Sequence, residues 1–349
     1  MSSVHQHNKS AIMALCKTLY DFDEQAIRHT LLKLLRADAV CHFSHPLGDV
    51  QSNELFDEVF APLATALPDV ERRDVICLAG PDQHGAEWVG CAGHYVGRFM
   101  TPYLGIPPTG HIAHIRFHEF FRFCGGQVKE IQAIWDLPEV MMQAGVWPMG
   151  PSLGREWHVP APASQDGLQP PSTRAEEASA SVQHVVDMLT AMQRYPSEGG
   201  AEVMELDKFW HPKFNWYGPS GIGSARGADG FRNWHQTPFL NAMPDRGKYP
   251  DQTDPHFFGE GAYVAVTGWP NMAQTLSGDG WLGIAPTGRE ITLRSLDFWR
   301  LEDGLIRENW VLVDLLDMWA QIGVDVMGRM HQLASVRPVI PAPHQQEAG

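Results

Sequence analysis

Apolar residues recur three and four positions apart at Ile12, Leu15 and Leu19, and again at Ile27, Leu31, Leu34 and Leu35, which predicts helices with one buried face. Val182, Val185, Val186 and Leu189 repeat the pattern later, and Ser10 and Ser181 stand where helix caps are expected. A short strand closed by proline is expected after each opening, from Val40 to Pro46 and from Lys213 to Pro219. Another helix is expected after it, ending at Pro68-Asp69 in one case and Pro244-Asp245 in the other. The period then changes to alternation, the mark of strands with one buried face, over 88–99, 112–123 and 128–135, and again over 263–267, 291–301 and 305–313. Gly126 and Gly304 sit in the hairpin turns between the last two strands of each set.

The two series are one pattern written twice. Leu104-Gly105-Ile106-Pro107-Pro108-Thr109-Gly110 aligns with Leu282-Gly283-Ile284-Ala285-Pro286-Thr287-Gly288, and the register then holds without a gap. Phe120 falls over Phe298, Arg122 over Arg300, Glu130 over Glu308, and Gln143-Ala144-Gly145-Val146 over Gln321-Ile322-Gly323-Val324. Helices followed by a long meander predict an α+β fold: two tandem cone-shaped domains, each with N-terminal helices packed on a curved antiparallel sheet. The expected boundaries are 8–148 and 178–330, joined by a proline-rich linker over 149–177 and followed by an irregular tail over 331–349.

At 349 residues the chain has room for two domains of about 150 residues each. It is 44% hydrophobic, without an apolar run of the roughly 20 residues a membrane helix needs and without a basic-then-apolar start, so a cytoplasmic protein is expected. A net charge of -15 argues against nucleic acid or an anionic membrane as partner. The five cysteines, Cys16, Cys41, Cys77, Cys91 and Cys124, all lie in the first copy without paired spacing, which fits reduced, mostly buried thiols. No phosphate loop, zinc-type cysteine pair or nucleophile elbow is recognisable, so neither a metal nor another cofactor is expected.

The Gly-Ile-Pro-Pro-Thr-Gly run, the alternating strand, Phe-Arg-x-x-x-Gly, a strand ending Trp-Asp or Val-Asp, and the Gln-x-Gly beyond resemble the SnoaL-like polyketide cyclases of the nuclear transport factor 2-like superfamily. The resemblance covers roughly 10–148 and 178–328. It implies an aspartate on the last strand as general acid/base, a histidine on the preceding strand, and a polar residue before the first-strand proline. By register the aspartate position holds Ala133 and Val311, neither of which can move a proton. The histidine position holds Glu119 and Asp297, and the polar position His45 and Gly218. The resemblance also implies pairing through the outer sheet faces, so the two copies are expected to form an intramolecular pseudo-dimer, with further homodimerisation open.

Alternation supports Glu119 and Asp297 on its own. Glu119 shares a strand face with Ile115, Phe117 and Phe121, and Asp297 with Ile291, Leu293, Trp299 and Leu301. Desolvation on such a face raises a carboxyl toward the range useful for a base. The alternative is a carboxylate bonded to a buried Arg or Tyr, or a bulge that turns it outward. His45 and His235 are the candidate proton donors or orienting groups, and Trp216, Trp269, Asn309, His94, Trp135 and Tyr217 the candidate substrate contacts. Asp136 and Asp314 each stand three residues before an acid where the chain turns helical, the spacing of a capping box, and rank below the others. His114 and His118 share a strand face that His111 does not, so the histidines of copy one do not converge as metal ligands.

The expected activity is that of a cofactor-free lyase or isomerase acting on a small carbonyl compound by general acid/base proton transfer in an apolar pocket. The alternative is a non-catalytic protein that binds a small hydrophobic ligand. An epoxide hydrolase would need an Asp-Arg-Asp relay, of which the sequence shows no clear version.

Overall fold

A computed structural model describes residues 3–168 and 175–335; the remainder of the expected tail lies outside the described residues. Copy one runs α1 (Ser3–Asp21), α2 (Glu24–Leu34), β1 (Leu35–Phe43), β2 (Asp49–Gln51), α3 (Ala61–Ala66), β3 (Glu71–Pro81), β4 (Glu87–Arg98), β5 (Ile112–Cys124), β6 (Gln127–Trp135) and α4 (Leu137–Gln143). Copy two runs α5 (Ala175–Met192), α6 (Leu206–Phe209), β7 (Trp210–Tyr217), β8 (Ala225–Arg226), α7 (Gly227–Phe231), α8 (Thr237–Ala242), β9 (His256–Glu260), β10 (Tyr263–Thr267), β11 (Met272–Thr275), β12 (Glu290–Leu293), β13 (Ser295–Glu302), β14 (Leu305–Val313), α9 (Leu315–Gln321) and α10 (Val326–Ser335).

The two main sheets have the same strand order, β2-β1-β6-β5-β4-β3 and β8-β7-β14-β13-β10-β9. Both are antiparallel except that β1 lies parallel to β6 and β7 parallel to β14. This places the last strand at the centre of each sheet, beside the first. Ile12, Leu15 and Leu19 of α1, and Ile27 and Leu31 of α2, are buried, as their spacing predicts.

Local details differ from the sequence reading. Ser10 is no cap: it lies inside α1, its hydroxyl donating to Gln6 O, and Ser181 lies inside α5, donating to Gly261 O. Both helices begin earlier because their first turns are polar and carry no apolar spacing to announce them. The strand expected over 291–301 is broken at Arg294 into β12, which pairs with β11, and β13, which pairs with β10. The break follows from the partner side, where β10 stops before Gly268-Trp269-Pro270 and proline cannot continue the ladder. α5 begins inside the stretch read as linker, and α10 carries helix through Ser335.

The outer faces of the two sheets pack against each other. Phe120 and Phe298, equivalent residues of the repeat, stack with centroids 5.0 Å apart. Gly90 permits this approach, since a Cβ there would lie 3.1 Å from both rings. Hydrogen bonds and an ion pair cross the interface. His118 Nδ1 donates to Leu296 O at 2.5 Å, Arg116 Nη2 donates to Gly218 O and Val311 O, and Lys9 pairs with Glu260.

A pseudo-two-fold relation is explicit at the ends of the last strands. The Asp136 carboxylate accepts from Glu139 N at the start of α4 and from Ser220 N of copy two, and Asp314 accepts from Asp317 N at the start of α9 and from His45 N of copy one. Each of these carboxylates thus joins a helix start to the opposite domain. The connector adds to the joint, with Trp310 Nε1 donating to Pro160 O and Cys77 N to Gly167 O. Among the described residues no helix is long and apolar enough to cross a membrane.

Candidate active site

Two carboxylates at equivalent positions have opposite surroundings. Glu119 pairs across the sheet with Ala133, and Asp297 with Val311, so both sit on the strand beside the one where the resemblance places an acid. In copy one, Arg72 Nη1 donates to Glu119 Oε2 at 2.5 Å, Trp135 Nε1 to Glu119 Oε1 at 2.9 Å, and the Tyr95 hydroxyl to the same oxygen at 3.2 Å. Arg72 is held in turn by Asp74 and lies over the Phe117 ring. Phe43 and Tyr95 pack on Trp135, and Glu119 is 4% exposed. The hollow around Glu119 is filled by its own partners.

In copy two, Asp297 borders space. A cavity of about 290 Å³ opens on one side of it and a smaller one of about 90 Å³ on the other, and the two share Leu189, Arg246, Met272, Ser295, Asp297 and Trp299. The smaller cavity is walled by Trp210, Trp216, Phe231, Phe239 and Trp281, with His235, Gln236 and Asn309. The larger is bordered by Gln193, Tyr249, Thr253 and Asn271.

Among the described residues, the Asp297 side chain accepts one hydrogen bond, from Ser295 Oγ to Oδ1 at 2.7 Å. Ser295 is positioned by its backbone, its N–H donating to Asn271 Oδ1 and its carbonyl accepting from Asn271 Nδ2. Burial pushes the Asp297 carboxyl up to about 7, against the pull of the Ser295 hydroxyl and the Arg246 charge. Burial holds His235 down at about 3, with Arg246 adding to the effect, so its imidazole is neutral at ordinary pH. His235 stacks on Trp216 with centroids 3.9 Å apart.

Among the described residues, several buried polar atoms of the side chains that line this cavity have no hydrogen-bond partner: His235 Nδ1, both amide atoms of Gln236, Trp281 Nε1 and Trp299 Nε1. Native interiors leave few such groups unpaired, and a cluster of them around one cavity points to a polar ligand. Asn309, which also lines this cavity, spends its Nδ2 on Phe298 O.

The remaining sequence candidates lie elsewhere. Trp135 is spent on Glu119. Trp269 stacks on His42 of copy one beneath the Arg294 guanidinium. Tyr217 faces the joint between copies, its hydroxyl donating to Glu308. His94 packs against His114 and His158 of the connector, and burial lowers it to about 3. His45 contributes its backbone N–H to Asp314. Burial raises both Asp136 and Asp314, the latter to about 6, and both are engaged at helix starts.

Three donors, Cys16 Sγ, Asp74 and Cys91 Sγ, lie within 4.8 Å of one another in copy one. Asp74 is committed to Arg72, and the Cys16 thiol is raised by its hydrogen bond to Cys91 and by burial, so the set favours protonated thiols beside a guanidinium.

Sequence reasoning missed Arg246, Ser295, Gln236 and Trp281. Ser295 was within reach, since it lies two residues from Asp297 on one strand and so on one face. Arg246 follows the repeated Pro-Asp pair, at the place where copy one has Val70, and the comparison of copies could have exposed it.

A family model for SnoaL-like polyketide cyclase matches residues 15–144 and again 187–322. The chain belongs to the SnoaL-like polyketide cyclase family. Similar solved structures include AclR, a candidate hydroxylase from Streptomyces galilaeus, at 18% identity over 40% of this chain and 86% of that one, with a TM-score of 0.34. A candidate SnoaL-like polyketide cyclase from Jannaschia sp. CCS1 is 20% identical over 41% of this chain and 94% of that one, with a TM-score of 0.36. IdmH, a candidate polyketide cyclase from Streptomyces antibioticus, is 19% identical over 40% and 98%, with a TM-score of 0.34. Among curated proteins, none matches this chain significantly. As a SnoaL-like protein, this chain carries the family domain twice.

Proposed function

We propose that copy two is a cofactor-free lyase or isomerase of the cyclase type, which moves a proton next to the carbonyl of a small substrate, and that copy one serves as its fixed partner. Family membership supports a cyclase- or isomerase-type activity. The observation that carries the reading is the state of Asp297: a carboxyl raised to about 7, with a single hydrogen-bond donor among the described residues, on the common wall of two cavities. A base whose pKa lies near the working pH combines availability with strength.

In the proposed reaction an Asp297 oxygen takes the proton from the carbon beside the substrate carbonyl. The electron pair left behind moves into the carbonyl, and negative charge grows on its oxygen. Neutral His235, Gln236 and the Trp281 and Trp299 N–H groups supply donors on the cavity wall for that oxygen. Protonated Asp297 then returns the proton to a different atom, or after a new bond has formed, to give the isomerised or cyclised product. Trp216 and Phe239 offer flat apolar faces for the substrate body.

Glu119 has the same register but a different task, because its buried carboxyl is already engaged by Arg72, Trp135 and Tyr95. The test is deuterium uptake from D2O into enolisable aryl ketones, followed by proton NMR. Wild-type protein and E119Q are expected to exchange the proton, and D297N to lose at least a hundredfold. Equal exchange by D297N would remove Asp297 as the base, and ligand binding without any exchange would favour the non-catalytic reading.

A further inference from the structure

Among the described residues Arg246 is the cation of this cavity, and it has no direct ion-pair partner. It lies beyond α8, borders both cavities beside Asp297, and has no carboxylate oxygen within 4.0 Å among the described residues. Copy one resolves the same problem differently: Arg72, in its equivalent half, is neutralised by both Asp74 and Glu119. Arg246 instead leans over the Phe239 ring, its guanidinium carbon 5.7 Å from the centroid. That contact orients the group without neutralising it. Gly247 follows with a φ of +83°, and a Cβ there would press to 3.1 Å from Gln193, so the chain passes close to α5 and fixes the arginine at the cavity rim.

Asp297 makes no direct ion pair with Arg246, although each charge acts on the titration of the other. Its carboxyl is raised to about 7 even with Arg246 nearby, so close to neutral pH much of it is protonated. Burial in turn lowers the Arg246 guanidinium, with Asp297 as the charge opposing that effect. The rim therefore holds an unpaired planar fork of N–H donors, a geometry that matches a carboxylate.

The two cavities differ in character along a line through Asp297. The inner one is aromatic, with Trp216, Phe231 and Trp281 in its wall, and the outer one is bordered by Tyr249, Thr253 and Asn271 together with Arg246. We infer that the substrate is an amphipathic carbonyl acid, with its carboxylate on Arg246 in the outer cavity, its flat apolar body in the inner one, and the acidic C–H between them at Asp297. The inner volume of about 90 Å³ suits a single ring, and the outer one of about 290 Å³ leaves room for a second ring and the carboxylate. This assignment rests on the proposal that the Asp297 cavity is the substrate site, and it adds the charge and polarity of the molecule held there.

The test compares 2-naphthoate with its neutral counterpart 2-acetylnaphthalene, measuring affinity by quenching of tryptophan fluorescence in the full-length protein. Wild-type protein is expected to bind naphthoate at least tenfold more tightly than acetylnaphthalene. R246M should lose that preference while keeping its affinity for acetylnaphthalene within about twofold, and R246K, which keeps the charge but not the fork, should fall between. Acetylnaphthalene binding as well as naphthoate in the wild-type protein would overturn the carboxylate assignment whether or not the variants fold. Binding of the ketone with D297N-sensitive exchange but without carboxylate preference would overturn this inference alone. Failure of both probes to quench would overturn the inference along with the cavity on which it rests.

Discussion

Glu119 and Asp297 occupy matching positions in two copies of one sheet, yet Glu119 is held by Arg72 at 2.5 Å while Asp297 accepts from the Ser295 hydroxyl at 2.7 Å and from no cation among the described residues. The difference traces to where each copy keeps its arginine. Arg72 stands four residues beyond Pro68 and reaches inward from β3; Arg246 stands two beyond Pro244, in a loop, and stays more than 4.0 Å from the acid. Duplication thus leaves one hollow closed by an ion pair and the other open beside an acid without a direct ion pair. The proposed division of labour between the copies follows from that displacement.

Removing the closed pair should harm stability and spare chemistry. E119Q leaves Arg72 with only Asp74, and breaking a buried pair on one side typically costs about 3–5 kcal/mol. Urea unfolding is expected to show that loss, while the exchange rate per folded molecule stays near wild type. A double variant, R72M/E119M, should recover part of the stability. A proportional fall in exchange rate for folded E119Q would give copy one a catalytic share.

Stability should also report Asp297 through pH. The folded-state carboxyl is raised to about 7, whereas an unfolded aspartate titrates near ~3.9. The folded state therefore holds the proton more tightly, and this group's contribution is fully present below the unfolded value and lost as pH rises toward 7. D297N, with nothing to ionise, is expected to exceed wild type at pH 8 by on the order of 1–2 kcal/mol, a figure reduced from the full shift because the group borders a cavity. At pH 4 the advantage should vanish. Asp136 and Asp314 are also raised, so the difference between wild type and variant, rather than either curve alone, is the readout.

The joint between copies has a sharp steric test in Gly90. A Cβ there would meet the rings of Phe120 and Phe298 at 3.1 Å and Phe258 at 3.2 Å. G90L is expected to lower stability by about 1–3 kcal/mol or more, as overpacked cores do. Differential scanning calorimetry should show a lower midpoint, and a wild-type profile would mean that the sheets can slide apart at little cost.

Much of the fold was legible because the chain states it twice. The strands 263–267 and 305–313 match β10 and β14, and the meander of copy one is displaced by only a residue or so at its ends. β3 and β9 escaped notice. In β3 the charged run Glu71-Arg72-Arg73-Asp74 hides the alternation, since Arg72 points inward and is tolerated only because Glu119 and Asp74 meet it from elsewhere in the fold. The same compensation explains why sequence could rank Glu119 and Asp297 together but could not separate them. Their strand faces read alike, and the distinguishing arginines come from a distant strand in one copy and a loop in the other. Trp269 shows the reverse case: its composition suggested a pocket wall, but the break after β10 turns it toward His42 of the neighbouring copy.

The most direct test is the titration of Asp297 itself. Protein labelled with 13C at aspartate carboxyl carbons, with the resonance assigned by its absence in D297N, should show an inflection near pH 7 for this residue. An inflection below pH 5 would mean a solvated or ion-paired carboxylate, and would contradict the account of copy two as the site of proton transfer.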